Sequence, residues 1–188
     1  MAYMLRSARY LSADVLAQAV QKGDTVIDAT MGNGHDTLFL CQLVGEEGKV
    51  IAFDVQQQAV ESTRERLREH GVLDRATLYH LGHEHMDEAN VTNVSAIVFN
   101  LGWLPGGDKS VTTLWETTRL ALEKALSLLK QHGVLLLCAY PGHAEGDRER
   151  AEVMNFLASL APQQYNVLHQ RFLNAGPGAP ENFIIQKQ

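Results

Sequence analysis

The sequence predicts an α/β protein built on a mostly parallel, seven-stranded sheet that ends in an antiparallel hairpin. Three observations carry this expectation. Short runs rich in Val, Ile, Leu, Phe and Tyr alternate with longer amphipathic stretches through most of the chain. A glycine-containing turn follows the first of these runs. The last two β-rich runs are joined by a loop too short for a crossover helix, so they must pair antiparallel.

Taken in order, strands are expected at residues 25–29, 49–55, 76–81, 96–101 and 133–140. Each is close to the continuous apolar run of a strand covered on both faces. A helix should open near His35. Residues 56–70 carry Ala59, Val60 and Leu67 on one stripe, with Glu61, Arg64, Glu65 and Arg68 on a wet face. Residues 110–130 place Leu114, Ala121, Leu122, Ala125, Leu126 and Leu129 at helical spacing, with Ser110 as the expected N-cap and Gly133 just past the end. Residues 145–160 set Val153, Phe156, Leu157 and Leu160 on one side of a third long helix. Strands at 165–173 and 182–188 flank Asn174-Ala-Gly-Pro-Gly-Ala-Pro180 and should form the hairpin at a sheet edge.

A length of 188 residues suits a single domain, and no repeat, linker or low-complexity tract divides it. The balance of 45% hydrophobic and 20% charged residues argues against disorder. A net charge of −6 excludes coating nucleic acid by bulk charge, though it leaves room for a local basic patch. Cys41 and Cys138 lie far apart, make neither a disulfide framework nor a four-thiolate zinc site, and are expected in the core. No apolar run reaches the roughly 18 residues of a membrane span. The first twenty residues lack the pattern of a signal peptide. The expectation is a reduced, cytoplasmic protein that does not engage a membrane.

The most informative stretch is Asp28-Ala-Thr-Met-Gly-Asn-Gly-His-Asp-Thr37. Gly32 and Gly34 lack Cβ atoms and let backbone approach a ligand closely. Asp54 closes the next strand, 20 residues beyond Gly34, a spacing that suits a carboxylate accepting from ribose hydroxyls. A dinucleotide fingerprint would need a third glycine where Thr37 stands. Asp28 and Asp36 are poor neighbours for a pyrophosphate but good ones for an amino group and a sulfonium. The loop reads Asp28-x-Thr30-x-Gly32-x-Gly34, close to the D-x-G-x-G-x-G of S-adenosylmethionine enzymes. S-adenosylmethionine is therefore favoured over NAD, and over a tight turn without a ligand. With the sheet outline, this predicts the class I methyltransferase (Rossmann-like) fold. The expected cofactor residues are Asp28, Thr30, Gly32, Asn33, Gly34, Asp36, Asp54 and Gln56, joined by Gly82, His83 and Glu84 beside the adenine. The His83-x-His85 pair lacks a further spaced ligand pair, so no metal is expected.

A second stretch, Phe99-Asn-Leu-Gly-Trp-Leu-Pro-Gly-Gly-Asp-Lys109, leaves the fourth strand at its carboxyl end. Methyltransferases acting on amines often carry Asn-Pro-Pro-Tyr there, and Asn100-Leu-Gly-Trp103-Leu-Pro105 looks like a variant of it. Asn100 would orient the amine for in-line attack. Asp108 and His143 are candidates to take its proton. Trp103 either stacks on a base or covers the core. Tyr140-Pro-Gly-His143 leaves the fifth strand on the same edge, and is either part of the site or a simple Pro-Gly turn. Asn100 has the alternative of a strand-end cap.

These stretches, with Phe53-Asp-Val-Gln56 and Gly82-His-Glu84, resemble the YtqB-like family of RNA methylases. The resemblance runs from about Asp14 to the C-terminus, and the Asn100–Lys109 string is its most specific part. It implies a class I fold, S-adenosylmethionine and a homodimer. It also implies an RNA amine as acceptor: the aminomethyl group of 5-aminomethyl-2-thiouridine at the tRNA wobble position, within the anticodon stem-loop. Trp103 departs from the family pattern, where Tyr is expected, so no role for a hydroxyl carries over. Trp103 and Tyr140, with the basic Arg6, Arg9, Lys109 and Arg148, are the candidate substrate contacts. A methyltransferase for rRNA or a small molecule, or a non-catalytic S-adenosylmethionine-binding protein, remain the alternatives.

Overall fold

The computed structural model describes residues 7–188. In chain order the elements are α1 (Ala8–Ala19), β1 (Thr25–Asp28), α2 (His35–Val44), β2 (Lys49–Asp54), α3 (Gln57–Glu69), β3 (Ala76–His80), β4 (Val94–Leu101), α4 (Trp115–Leu128), β5 (Leu129–Ala139), α5 (Ala144–Ala158), β6 (Tyr165–Gln170) and β7 (Glu181–Lys187). Short 3-10 turns occupy Leu73–Arg75 and His83–Ala89. The seven strands run in the order β3-β2-β1-β4-β5-β7-β6. The first five are parallel, and β7 is antiparallel to both β5 and β6. The hairpin is thus inserted with β7 inward and β6 at the edge.

Period-two alternation splits the core into two layers. Ile27, Ile51, Ile97, Phe99 and Leu135 face one way and pack on Leu122 and Ala125 of α4 and Val153 of α5. Their neighbours Val26, Val50, Ala96, Val98 and Leu136 face the other way, onto Leu16 of α1, Leu40 of α2 and Leu67 of α3. Helices on both faces explain why these strands read as continuous apolar runs. Strand order reverses between β1 and β4, and at that switch point the carboxyl strand ends diverge into a crevice.

Two local expectations are corrected. Helix α4 begins at Trp115 rather than Ser110, and its N-cap position is Leu114, with no side-chain cap. Residues 102–113 instead form a loop closed by a Trp103–Thr112 bridge. Tertiary bonds described below hold that loop and override its helical spacing. Gly133 does not terminate a helix either. It lies within β5, which follows α4 directly and carries a register shift opposite Val94 and Ala96. A Cβ on Gly133 would sit 3.0 Å from the Val94 carbonyl oxygen, so close backbone approach excludes a side chain there. Helix α1 had no counterpart in the sequence reading. It is anchored where the buried Asn182 side chain donates to the Ala8 carbonyl at 2.8 Å. Both cysteines are buried, and burial pushes the Cys41 thiol up to about 12 and that of Cys138 to about 11.

Candidate active site

A cleft of about 470 Å³ opens at the carboxyl ends of β1, β2, β4 and β5. Its floor is the turn from β1 into α2. Asp28 ends β1 fully buried, and its carboxylate accepts from Thr37 Oγ1 at 2.7 Å and from the Thr30 amide at 3.2 Å. Burial, reinforced by the nearby Asp36 charge, pushes its pKa up to about 7. Asp28 organises the loop from beneath and does not reach the cleft wall.

The two loop glycines serve different ends. Gly32 (φ +48°) lines the cleft, and a Cβ there would come within 3.5 Å of Leu104. Gly34 (φ +76°) heads α2 and faces α3, where a Cβ would lie 2.8 Å from the Thr63 Cα. Its need for glycine is helix packing and a left-handed backbone, rather than approach to a ligand.

Asp54, at the end of β2, accepts from the Gly32 amide at 3.0 Å and the Gln56 amide at 2.9 Å, one bond on each carboxylate oxygen. Burial raises its pKa despite these bonds. Gln56 lines the wall beside it, and so does Val55, a large apolar side chain left 56% exposed. Gly82, His83 and Glu84 continue that wall. Burial pushes the His83 pKa down to about 4, which leaves the ring neutral at pH 7. Among the described residues, no group of three or more His, Cys, Asp or Glu is placed to hold a metal.

The opposite wall comes from β4 and the loop after it. The Asn100 backbone N–H donates to Thr30 Oγ1 at 2.7 Å, which ties the end of β4 to the glycine turn. The Asn100 side-chain NH2 donates to Asp36 Oδ2 at 2.8 Å. Arg9 of α1 donates to Asp36 Oδ1 from Nε and Nη2, at 3.3 and 3.1 Å. The Asn33 side chain donates to the Pro105 carbonyl at 3.1 Å and so joins the two loops across the cleft.

Trp103 lines the cleft with its ring centroid 4.4 Å from that of His143 and 5.4 Å from Lys109 Nζ. His143 caps α5, its Nδ1 accepting from the Gly146 amide at 3.1 Å. Nδ1 spends its lone pair on that bond and Nε2 is buried without a partner, so the structure holds His143 as a helix cap in place of the expected proton acceptor. Asp108 is also displaced from that role. It is exposed, holds the Ser110 amide at 2.8 Å and does not line the cleft. Ser110 holds its carboxyl below the usual carboxylate range. Tyr140 and Arg9 line the cleft, whereas Lys109 does not. Arg148 pairs with Glu116 and Glu145 away from the cleft, and Arg6 lies outside the described residues.

The residue missed by sequence reasoning is Glu149. It is 3% exposed and accepts from Thr113 Oγ1 and Thr118 Oγ1, both at 2.6 Å. Thr113 in turn accepts from the Gly102 amide at 2.8 Å. A buried carboxylate on α5 thus pins both the strand-four loop and the start of α4, and burial raises its pKa. The signal was available: Glu149, Val153 and Leu157 share one buried stripe at four-residue spacing.

Sheet order, switch point and glycine turn together define the class I S-adenosylmethionine-dependent methyltransferase fold. An O-methyltransferase from Thermotoga maritima shares that fold at a TM-score of 0.67 and only 17% identity. The family model described as "Putative rRNA methylase" matches residues 50–186, and the chain belongs to that family. A crystal structure of an rRNA methylase of that description from Clostridium thermocellum superposes with a TM-score of 0.97 at 39% identity, covering 99% of this chain and 100% of that one. A Streptococcus mutans methyltransferase, solved in complex with SAH, gives 0.90 at 38% identity, covering 98% and 100%. A chloroplastic tRNA (mnm(5)s(2)U34)-methyltransferase from Arabidopsis thaliana is 44% identical over 164 residues. That match takes in 79% of this chain but only 57% of the plant protein's length.

Proposed function

We propose that the protein transfers a methyl group from S-adenosylmethionine to a primary amine on an aminomethylated wobble uridine of tRNA. The observation that carries this reading is the placement of Asn100. It stands on the cleft wall, tied to the glycine turn through Thr30 and flanked by Trp103. The plant relative's name and the SAH complex of the S. mutans protein support acceptor and cofactor respectively.

The donor set suits that cofactor. Asp54 is already fixed by two backbone amides, and each oxygen keeps a lone pair for one of two vicinal hydroxyls. Val55 and the neutral His83 offer an apolar slot for a flat ring. S-adenosylmethionine supplies an electrophilic methyl group on a sulfonium. Asn100 Oδ1 would accept an N–H of the amine and so orient its nitrogen lone pair toward the methyl donor. Transfer would exchange the C–S bond for the N–C bond, and the amine's surplus proton would pass to water. Trp103, Val111 and Leu114 line the acceptor side of the cleft and strip water from the amine. Desolvation favours the neutral, reactive amine.

Single-turnover assays with two tRNAs test this reading. One bears 5-aminomethyluridine at the wobble position and the other unmodified uridine. Methyl transfer should occur only on the first, at the exocyclic nitrogen. Equal methylation of both, at a ring carbon or a ribose hydroxyl, overturns it.

A further inference from the structure

We propose that Asp36 sets the orientation of the Asn100 carboxamide, and through it the preference of the site for an acceptor that donates a hydrogen bond. The inference rests on the reading of Asn100 above and gives Asp36 a role distinct from cofactor binding. The two ends of an asparagine amide are nearly identical in shape but opposite in hydrogen-bonding sense. A half-turn about the last side-chain torsion would present an NH2 to the acceptor and repel an amine. Something must therefore choose the end that faces the cleft.

Asp36 can make that choice because a carboxylate only accepts. Whichever end of the Asn100 amide meets Asp36 Oδ2, 2.8 Å away, has to be the NH2. Among the described residues, Asn100 Oδ1 meets no protein donor, and it is not among the buried unpartnered atoms. It is left to the cleft that Asn100 lines. The other carboxylate oxygen is occupied by Arg9, which grips it through two nitrogens. That ion pair holds the Asp36 side chain in place from a different element, α1. Backbone geometry reinforces the choice, since the Asn100 amide is fixed by Thr30 and the residue cannot swing away from Asp36. The chain Arg9–Asp36–Asn100 joins the first helix to the acceptor position. Asp36 is a positioning residue: it acts on the acceptor through Asn100.

A double-mutant cycle tests this. In Asp36→Asn, Arg9 can only donate and so keeps the amide oxygen, which turns the new NH2 toward Asn100 and reverses the bias at nearly constant shape. In single turnovers it should lower the methyl-transfer rate at least about tenfold and leave S-adenosylmethionine affinity within about twofold. In an Asn100→Ala background, Asp36→Asn should add less than about twofold, because the group it acts through is gone. Multiplying losses in the double variant would overturn the proposal. So would a large loss of cofactor affinity with the rate retained, which would make Asp36 a cofactor ligand.

A second readout needs no turnover. The Asn100 side-chain NH2 proton signals, assigned by their loss in Asn100→Ala, should be protected from solvent exchange in the wild type and exposed in Asp36→Asn. Equal exchange in both refutes the contact. The substrate reading fails separately. If hypomodified tRNA is methylated elsewhere than at the amine, the acceptor assignment falls, while the coupling of Asp36 to Asn100 is still measured on that RNA.

Discussion

Asp28 offers a quantitative test of how the glycine turn is held. Its carboxyl is fully buried and its pKa is pushed from 3.8 to about 7. The folded state keeps a proton there through a pH window in which the unfolded chain has lost it. Asp28 therefore contributes stability at low pH, and that contribution is lost as pH rises from about 4 through about 7. A shift of roughly three units, at about 1.4 kcal/mol each, makes the ionised form cost about 4 kcal/mol at pH 8. Asp28→Asn cannot ionise. Its Oδ1 still accepts from the Thr30 amide, and its NH2 can donate to Thr37 Oγ1 if that hydroxyl turns. Relative to the wild type, the variant should gain about 2–3 kcal/mol between pH 5 and pH 8. Urea unfolding of cofactor-free protein at several pH values, followed by circular dichroism, measures that change. Two stability curves that run parallel across the range would refute the argument, because the buried carboxyl would then not be the group that titrates.

Three further substitutions probe the same turn. Asp54→Ala should weaken S-adenosylmethionine binding by about 1–3 kcal/mol in calorimetry, the cost of leaving buried hydroxyls unpaired, and wild-type affinity would remove Asp54 from the site. Gly34→Ala should destabilise the fold by about 2–4 kcal/mol, since a left-handed backbone and overpacking against Thr63 both penalise a Cβ. Gly32→Ala should cost clearly less in the same thermal melts, because its nearest neighbour is a flexible Leu104 methyl at 3.5 Å. Equal losses at the two glycines would contradict the division of labour between them.

The fold was largely legible because its signals are local. Alternation such as Val26 against Ile27 encodes a strand covered on both faces, and the spacing of Ala59, Val60 and Leu67 encodes a helix with one buried stripe. Parallel strands joined by helices leave few topologies, and ligands collect at the carboxyl edge where the order reverses. The glycine turn and the Asn100 motif could therefore be placed on one edge from sequence alone. Helix α1 escaped because its apolar residues are spread round the helix rather than gathered on one stripe, and only Ala8 and Leu16 are buried.

Which polar atom meets which was decided by tertiary structure. The Asn100 bond to Asp36 spans 64 residues, that of Asn33 to Pro105 spans 72, and that of Thr113 to Glu149 spans 36. No local pattern specifies such partners. They arise only when β1, β4 and α5 are packed side by side and desolvation obliges each buried polar group to find its complement. For the same reason Ser110 yielded the helix start to Trp115, His143 became a helix cap, and Asp108 was left in solvent. Residue type and spacing told which chemistry the chain carries. Packing of distant elements decided which of those groups face the cleft and which hold it together.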